Sequence, residues 1–157
     1  MINIPLDTPW RQAHIGHWLA EASARFDARV LALMAANDSV PLALANLAAR
    51  GHLTASHVHI TRHLALAGSR LTDLASRVGV SKQAMGKLVD QCEAWGLVQR
   101  QPDLRDARAC LVLFTPAGLS WLQAFKDAVA QAQVELHDAV GPEVATVMAL
   151  GLEAYAA

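Results

Sequence analysis

The chain of 157 residues has little cysteine, little charge and no long apolar run. Cys92 and Cys110 are the only two cysteines. They are too few for a disulfide scaffold, and both are expected to stay reduced in the cytosol. Charged residues make up 17% against 54% hydrophobic. That ratio asks for more buried surface than one small core provides, and an obligate dimer interface would supply it. Yet no stretch approaches the ~20 apolar residues of a membrane span. The first ten residues contain Pro5, Asp7 and Pro9 and lack the basic start and apolar stretch of a signal peptide. A cytoplasmic protein without a membrane partner is expected. Also missing are a phosphate-cradling glycine loop and a Ser/His/Asp arrangement in a strand–turn–helix setting. The expectation is a non-enzyme with no catalytic residues, no cofactor and no resident metal.

A net charge of −1 does not by itself suggest nucleic acid. Its distribution is more informative. Residues 70–108 hold seven basic side chains (Arg70, Arg77, Lys82, Lys87, Arg100, Arg105, Arg108) against five acidic ones (Asp73, Asp90, Glu93, Asp103, Asp106). This segment is net +2 and the remainder −3, a modest polarity that singles out one region.

Hydrophobic spacing divides the chain into helices and one short β region. Ile15, Trp18, Leu19, Ala22, Phe26, Val30 and Leu33 recur on one face of a helix expected over 10–34, with Thr8 as cap and Pro9 at its first position. Asn37-Asp38-Ser39 breaks it, and 41–50 can form a short second helix. A helix is expected over 54–67, stopped by Gly68. Leu71, Leu74, Ala75 and Val78 then mark a short helix that Thr72 could cap. After Gly79, Ser81 caps a helix over 82–95. The period then changes to two. Strands are expected at 97–100 and 109–114, joined by a polar loop over 101–108. Thr115-Pro116 starts a long helix to about Val140 with the stripe Leu119, Leu122, Phe125, Val129 and Leu136. Gly141-Pro142 breaks it before a last helix over 143–155.

Two short helices joined at a tight turn and followed by a hairpin form a helix-turn-helix with a wing. On the second helix Ala84, Met85, Leu88, Val89 and Cys92 are expected to face the core, with Lys82, Gln83, Gly86, Lys87 and Asp90 facing out. Ser81 and the helix start can donate to phosphate. Gln83 can pair with adenine, and Lys82 or Lys87 can reach guanine or phosphate. Gly86 costs helix propensity, which close approach to DNA would justify. An arginine at the hairpin tip suits the narrow minor groove. Acidic neighbours fit there if they orient the arginines.

These segments together resemble the MarR family of winged-helix regulators. The matching text is Leu71-Thr72-Asp73-Leu74-Ala75, Val78-Gly79-Val80-Ser81-Lys82-Gln83, Leu88-Val89-Asp90, Trp95-Gly96-Leu97-Val98, Asp103-Leu104-Arg105-Asp106-Ala107-Arg108 and Thr115-Pro116-Ala117-Gly118, in that order. The resemblance covers nearly the whole chain. It implies a mainly α fold of the α+β winged-helix kind. Residues 9–36 and 116–157 would form a helical dimerisation region, and 53–115 a DNA-binding lobe with a two-stranded wing, all in one chain spanning 1–157. It also implies a homodimeric repressor that binds a pseudo-palindromic operator in duplex DNA and is released by a small, often aromatic, ligand. Carried over by position, Ser81, Lys82, Gln83 and Lys87 lie on the recognition helix. Arg105 is the wing-tip arginine beside Asp103, and Asp106 and Arg108 match a bracing pair. Two departures stand out. Residues 37–52 form a longer segment than is usual. His57 stands where glutamine is common, which suggests a rearranged entrance to the ligand cleft.

Histidine placement leaves alternatives open. His14 and His17 are three apart, and His59 and His63 are four apart, with His57 and His52 nearby. Such spacings can share a metal, and a zinc-responsive regulator is one alternative. Ordinary helix histidines, or polar walls of an organic-ligand pocket, are the other readings. Trp10, His14, Trp18, His59, Arg62 and His63 are the candidate ligand-binding residues, weighed against a plain core or dimer contact. A winged-helix protein-interaction module without operator binding is the remaining alternative.

Overall fold

The structure is a computed structural model. It describes residues 9–38, 40, 45–46, 52 and 54–157, and the side chains of all of these except 55, 56, 58, 59 and 107. Pro9–Arg11 makes one 3-10 turn, and the first α-helix, α1, runs Ile15–Ala35. The helix expected from Trp10 therefore starts five residues later. His14 is extended (φ −118, ψ 156), which stops the turn from propagating, and its Nδ1 accepts the His17 backbone N–H at 3.2 Å. The cap is a histidine; the expected cap, Thr8, lies outside the described residues. So does most of the helix expected at 41–50, where only Ala45 and Asn46 are described, as helical.

The next helix, α2, spans Ala55–His63, shorter than expected, because Leu64 turns extended. Gly68, at φ +92, closes the following turn with its N–H on the Ala65 carbonyl at 2.9 Å. Ser69–Arg70 then forms β1, a strand that two residues of sequence do not announce. Helix α3 covers Leu71–Val78 with Arg70, not Thr72, at its N-cap, and Gly79 ends it in the left-handed region. Helix α4 covers Lys82–Ala94, with the Ser81 hydroxyl accepting the Ala84 N–H.

Strands β2 (Val98–Asp103) and β3 (Asp106–Phe114) run further than expected. The loop expected over 101–108 shrinks to Leu104-Arg105, since Gln101 pairs with Leu111 and Pro102 with Cys110. Beyond the buried Val98 and Val112 the hairpin brings few apolar side chains to the core, so its ladder continues through residues with no hydrophobic alternation. The sheet is antiparallel in the order β1-β3-β2: β2 and β3 form the expected two-stranded wing, and β1 adds a third strand. Helix α5 is Pro116–Val140, capped by Thr115, and α6 is Pro142–Ala156, separated at Gly141.

One core joins these elements: Val30 and Met34 of α1, Ile60 of α2, Leu74 of α3, Met85 and Val89 of α4, Val112 of β3 and Trp121 of α5 are fully or almost fully buried. On α5 the buried stripe is Gly118, Trp121, Ala124, Phe125, Ala128 and Ala132. Only Phe125 belongs to the expected stripe. Small alanines let α5 approach α1 closely, while Leu119, Leu122 and Val129 line a surface hollow of about 500 Å³. Helix α6 buries Ala145 alone, and leaves Val144, Val147, Leu150, Leu152 and Tyr155 exposed.

Candidate nucleic-acid interface

The turn between α3 and α4 sets the helix-turn-helix. Gly79 donates its N–H to the Ala75 and Ser76 carbonyls, and Val80 donates to Ala75. The chain thereby reverses within Gly79-Val80-Ser81 and α4 begins at Lys82. Met85, Val89 and Cys92 anchor α4 in the core. Lys82, Gln83, Lys87 and Asp90 are exposed, as the sequence pattern indicates, but so is Ala84, which was expected inside. A hollow of about 500 Å³ runs along this face between Leu71, Lys82, Gln83, Gly86, Lys87 and Asp90. A Cβ built on Gly86 would meet nothing nearer than Leu71 Cδ2 at 4.0 Å, so internal packing does not demand glycine there.

The wing is braced from within. Asp103 is buried, and its Oδ2 accepts Arg70 Nε at 3.0 Å and Arg70 Nη2 at 2.7 Å. Its Oδ1 accepts the Arg105 backbone N–H at 2.9 Å. The Arg105 amide first, and then the Arg70 guanidinium, hold the Asp103 carboxyl below its ordinary value. Asp106 Oδ1 accepts the Arg108 N–H at 3.1 Å, and its other oxygen lies 3.9 Å from Arg70. The acidic residues thus fix the backbone of the arginines and leave the guanidinium groups of Arg105 and Arg108 exposed. Leu104 at the tip is fully exposed.

A second clamp ties α4 to the wing. Arg100 on β2 pairs with Asp90 at 2.6 Å and with Glu93, whose carboxylate also accepts the Arg100 backbone N–H. Neither Arg70 nor Arg100 is distinguishable from any other arginine in the sequence, because their partners lie across the fold. Among the described residues no ion pair involves Lys82, Lys87, Arg105 or Arg108.

The expected ligand residues whose side chains are described lie on the 3-10 turn, α1 and α2. Trp10 sits on the 3-10 turn, off α1, and is 42% exposed. His14 is occupied as the α1 cap. Trp18 is 60% exposed and packs edge-on against His17, with centroids 5.1 Å apart. Arg62 pairs with the buried Asp27 of α1 at 2.7 Å and lies 5.7 Å over the Phe125 ring. His63 is half-buried, and its carbonyl accepts from Arg77. The His59 side chain lies outside the described residues. Phe125 and Lys126, outside the expected ligand residues, share the α5 hollow. His57 is buried, and its Nδ1 accepts the Thr54 N–H, the capping part a glutamine would play. Among the described residues no group of three or more His, Cys, Asp or Glu side chains could hold a metal ion. Cys92 is buried and its thiol is pushed up to about 12 by that burial, which leaves it unreactive, whereas Cys110 is exposed.

A helix-turn-helix backed by a three-stranded sheet with a projecting hairpin defines a winged helix-turn-helix lobe. Residues 53–109 match the model of the MarR family. The lobe is similar to that family, and solved structures share its fold over nearly the whole chain. The transcriptional repressor CouR from Rhodococcus jostii, solved on a 23-mer DNA duplex, superposes with a TM-score of 0.71 at 20% identity, covering 98% of this chain and 100% of that one. MarR from Escherichia coli gives 0.65 at 22% identity, covering 98% of each chain. BpsR from Bordetella bronchiseptica gives 0.64 at 18% identity, covering 91% of this chain and 98% of that one. No curated protein sequence matches the chain. No helix among the described residues is long and apolar enough to cross a membrane.

Proposed function

We propose that this protein is a homodimeric transcriptional regulator, a repressor, that binds a pseudo-palindromic operator and lets go of it when a small ligand binds. The observation that carries the DNA reading is the division among its cations. Arg29, Arg62, Arg70 and Arg100 are each paired with a carboxylate. The exposed Lys82 and Lys87 on α4, and Arg105 and Arg108 on the wing, have no such partner among the described residues. Cations already neutralised cannot release counterions from a duplex; unpaired ones can. Ser81 and Lys82 meet phosphate, Gln83 and Lys87 read base edges in the major groove, and Arg105 enters the minor groove beside Arg108. Asp103 acts by bracing the wing. The family match over 53–109 supports this reading, as do CouR and MarR structures that contain DNA.

Dimerisation is assigned to 9–36 and 116–157, with 53–115 as the DNA lobe. A helix that is apolar all round must be buried on more than one side, and α6 buries only Ala145 within its own chain. CouR binds p-coumaroyl-CoA and BpsR responds to 6-hydroxynicotinic acid. Phe125 and Lys126 line the α5 hollow, and Arg62 lies over the Phe125 ring. That combination suits an aromatic anion. The function is binding, carried out in the cytoplasm, and needs no catalysis. Replacing Arg105 by alanine tests the DNA assignment in a gel-shift titration. Operator affinity should fall roughly tenfold or more with an unchanged thermal melt. Wild-type affinity in the variant would refute the wing contact.

A further inference from the structure

His57 makes more bonds than a helix cap needs. Capping α2 requires only Nδ1, which accepts the Thr54 N–H at 3.0 Å. With Nδ1 as an acceptor, the ring hydrogen resides on Nε2. Nε2 then donates to Gln91 Oε1 at 2.8 Å. Gln91 lies on the last turn of the recognition helix α4. The imidazole also packs on Trp95, the α4 C-cap, with centroids 4.7 Å apart. Its own carbonyl accepts the Thr61 hydroxyl at 3.3 Å, and that hydroxyl accepts the Trp121 indole N–H of α5 at 3.2 Å. The start of α2, the end of α4 and the middle of α5 thus meet through one buried residue.

We propose that His57 is a positioning residue for the recognition helix, fixing its rotation by the Gln91 bond and the Trp95 contact. The Asp90–Arg100–Glu93 cluster ties α4 to the wing, and His57 ties it to α2. Bidentate base reading by Gln83 tolerates little rotation of α4, so loss of this link lowers operator affinity in a protein that is still folded. The consequence for DNA rests on the operator-binding reading above; the positioning itself does not.

The test compares wild type with His57→Ala, His57→Gln, Gln91→Ala and the double His57→Ala/Gln91→Ala. Two readouts are used: amide hydrogen exchange over 82–94, and affinity for a duplex that wild type selects from a random pool. Glutamine can accept with Oε1 where Nδ1 accepts and donate with Nε2, so His57→Gln should restore both readouts. His57→Ala should speed exchange in α4 and weaken binding roughly tenfold, with Gln91→Ala close behind and the double no worse than His57→Ala, the non-additivity of directly coupled groups. Gln91→Ala, at an exposed position, keeps the test alive if His57→Ala does not fold. Wild-type exchange in α4 of Gln91→Ala and of any folded His57→Ala protein would overturn the proposal. Faster α4 exchange in a protein whose wild type selects no duplex would uphold the positioning and refute the operator reading.

Discussion

Asp103 shows how a single carboxylate can brace the wing from within. Its two oxygens are committed to Arg70 and to the Arg105 backbone, both within the protein. Holding that backbone aims the Arg105 side chain outward. The Asp103 carboxyl sits below its ordinary value when folded. Its contribution is then complete above the unfolded value of about 4 and fades as pH falls through the folded value. Asp103→Asn should therefore lower thermal stability by a constant amount from neutral pH down to about 5. The gap to wild type should close in stronger acid. A gap that persists unchanged in strong acid would rule out the charge of Asp103 as its cause.

At the scale of elements, Gly118 decides how α5 meets the wing. A Cβ there would lie 1.9 Å from the Leu97 carbonyl oxygen, a backbone atom that cannot step aside cheaply. The Thr115 hydroxyl donates to the Gly96 and Leu97 carbonyls and accepts the Gly118 N–H, so the junction is locked from both sides. Gly118→Ala should lower the melting temperature by at least roughly 5 °C; an unchanged melt would show that the junction yields. The cap Thr115-Pro116, the break at Gly141 and the helix after Ser81 were all legible in the sequence, because each is a local signal. The start of α1 was not, because a histidine cap competes with the more familiar Thr8-Pro9 pattern. Strand β1 was not, because two residues owe their conformation to Leu111 and Val112 across the sheet. The outward-facing Lys82, Gln83, Lys87 and Asp90 of α4 followed from periodicity. Their supports, Arg70, Arg100 and His57, depend on partners 33, 10 and 34 positions away and could not be read locally.

For the whole molecule, the apolar surplus of the composition reappears as the unburied faces of α6. Val147 and Leu150 are 69% and 61% exposed within one chain. Burying each such side chain contributes roughly 1.5–3 kcal/mol, enough for α6 to hold two chains together. A charge at either position is harmless to the isolated fold and costly in an interface. Val147→Asp/Leu150→Asp should sediment as a monomer where wild type sediments as a dimer. Dimeric sedimentation of the variant would move the interface away from α6.

The proposed dimer and the proposed DNA surface meet in one geometric requirement: two recognition helices would have to address successive major grooves on one side of the duplex. Selection of bound sequences from random duplex DNA reads this most directly. The expected result is an inverted repeat with half-site centres about 34–36 Å, or 10–10.5 base pairs, apart, bound with an affinity that falls steeply with salt. Recovery of no enriched sequence, or of single unpaired half-sites, would contradict a dimeric operator-binding regulator.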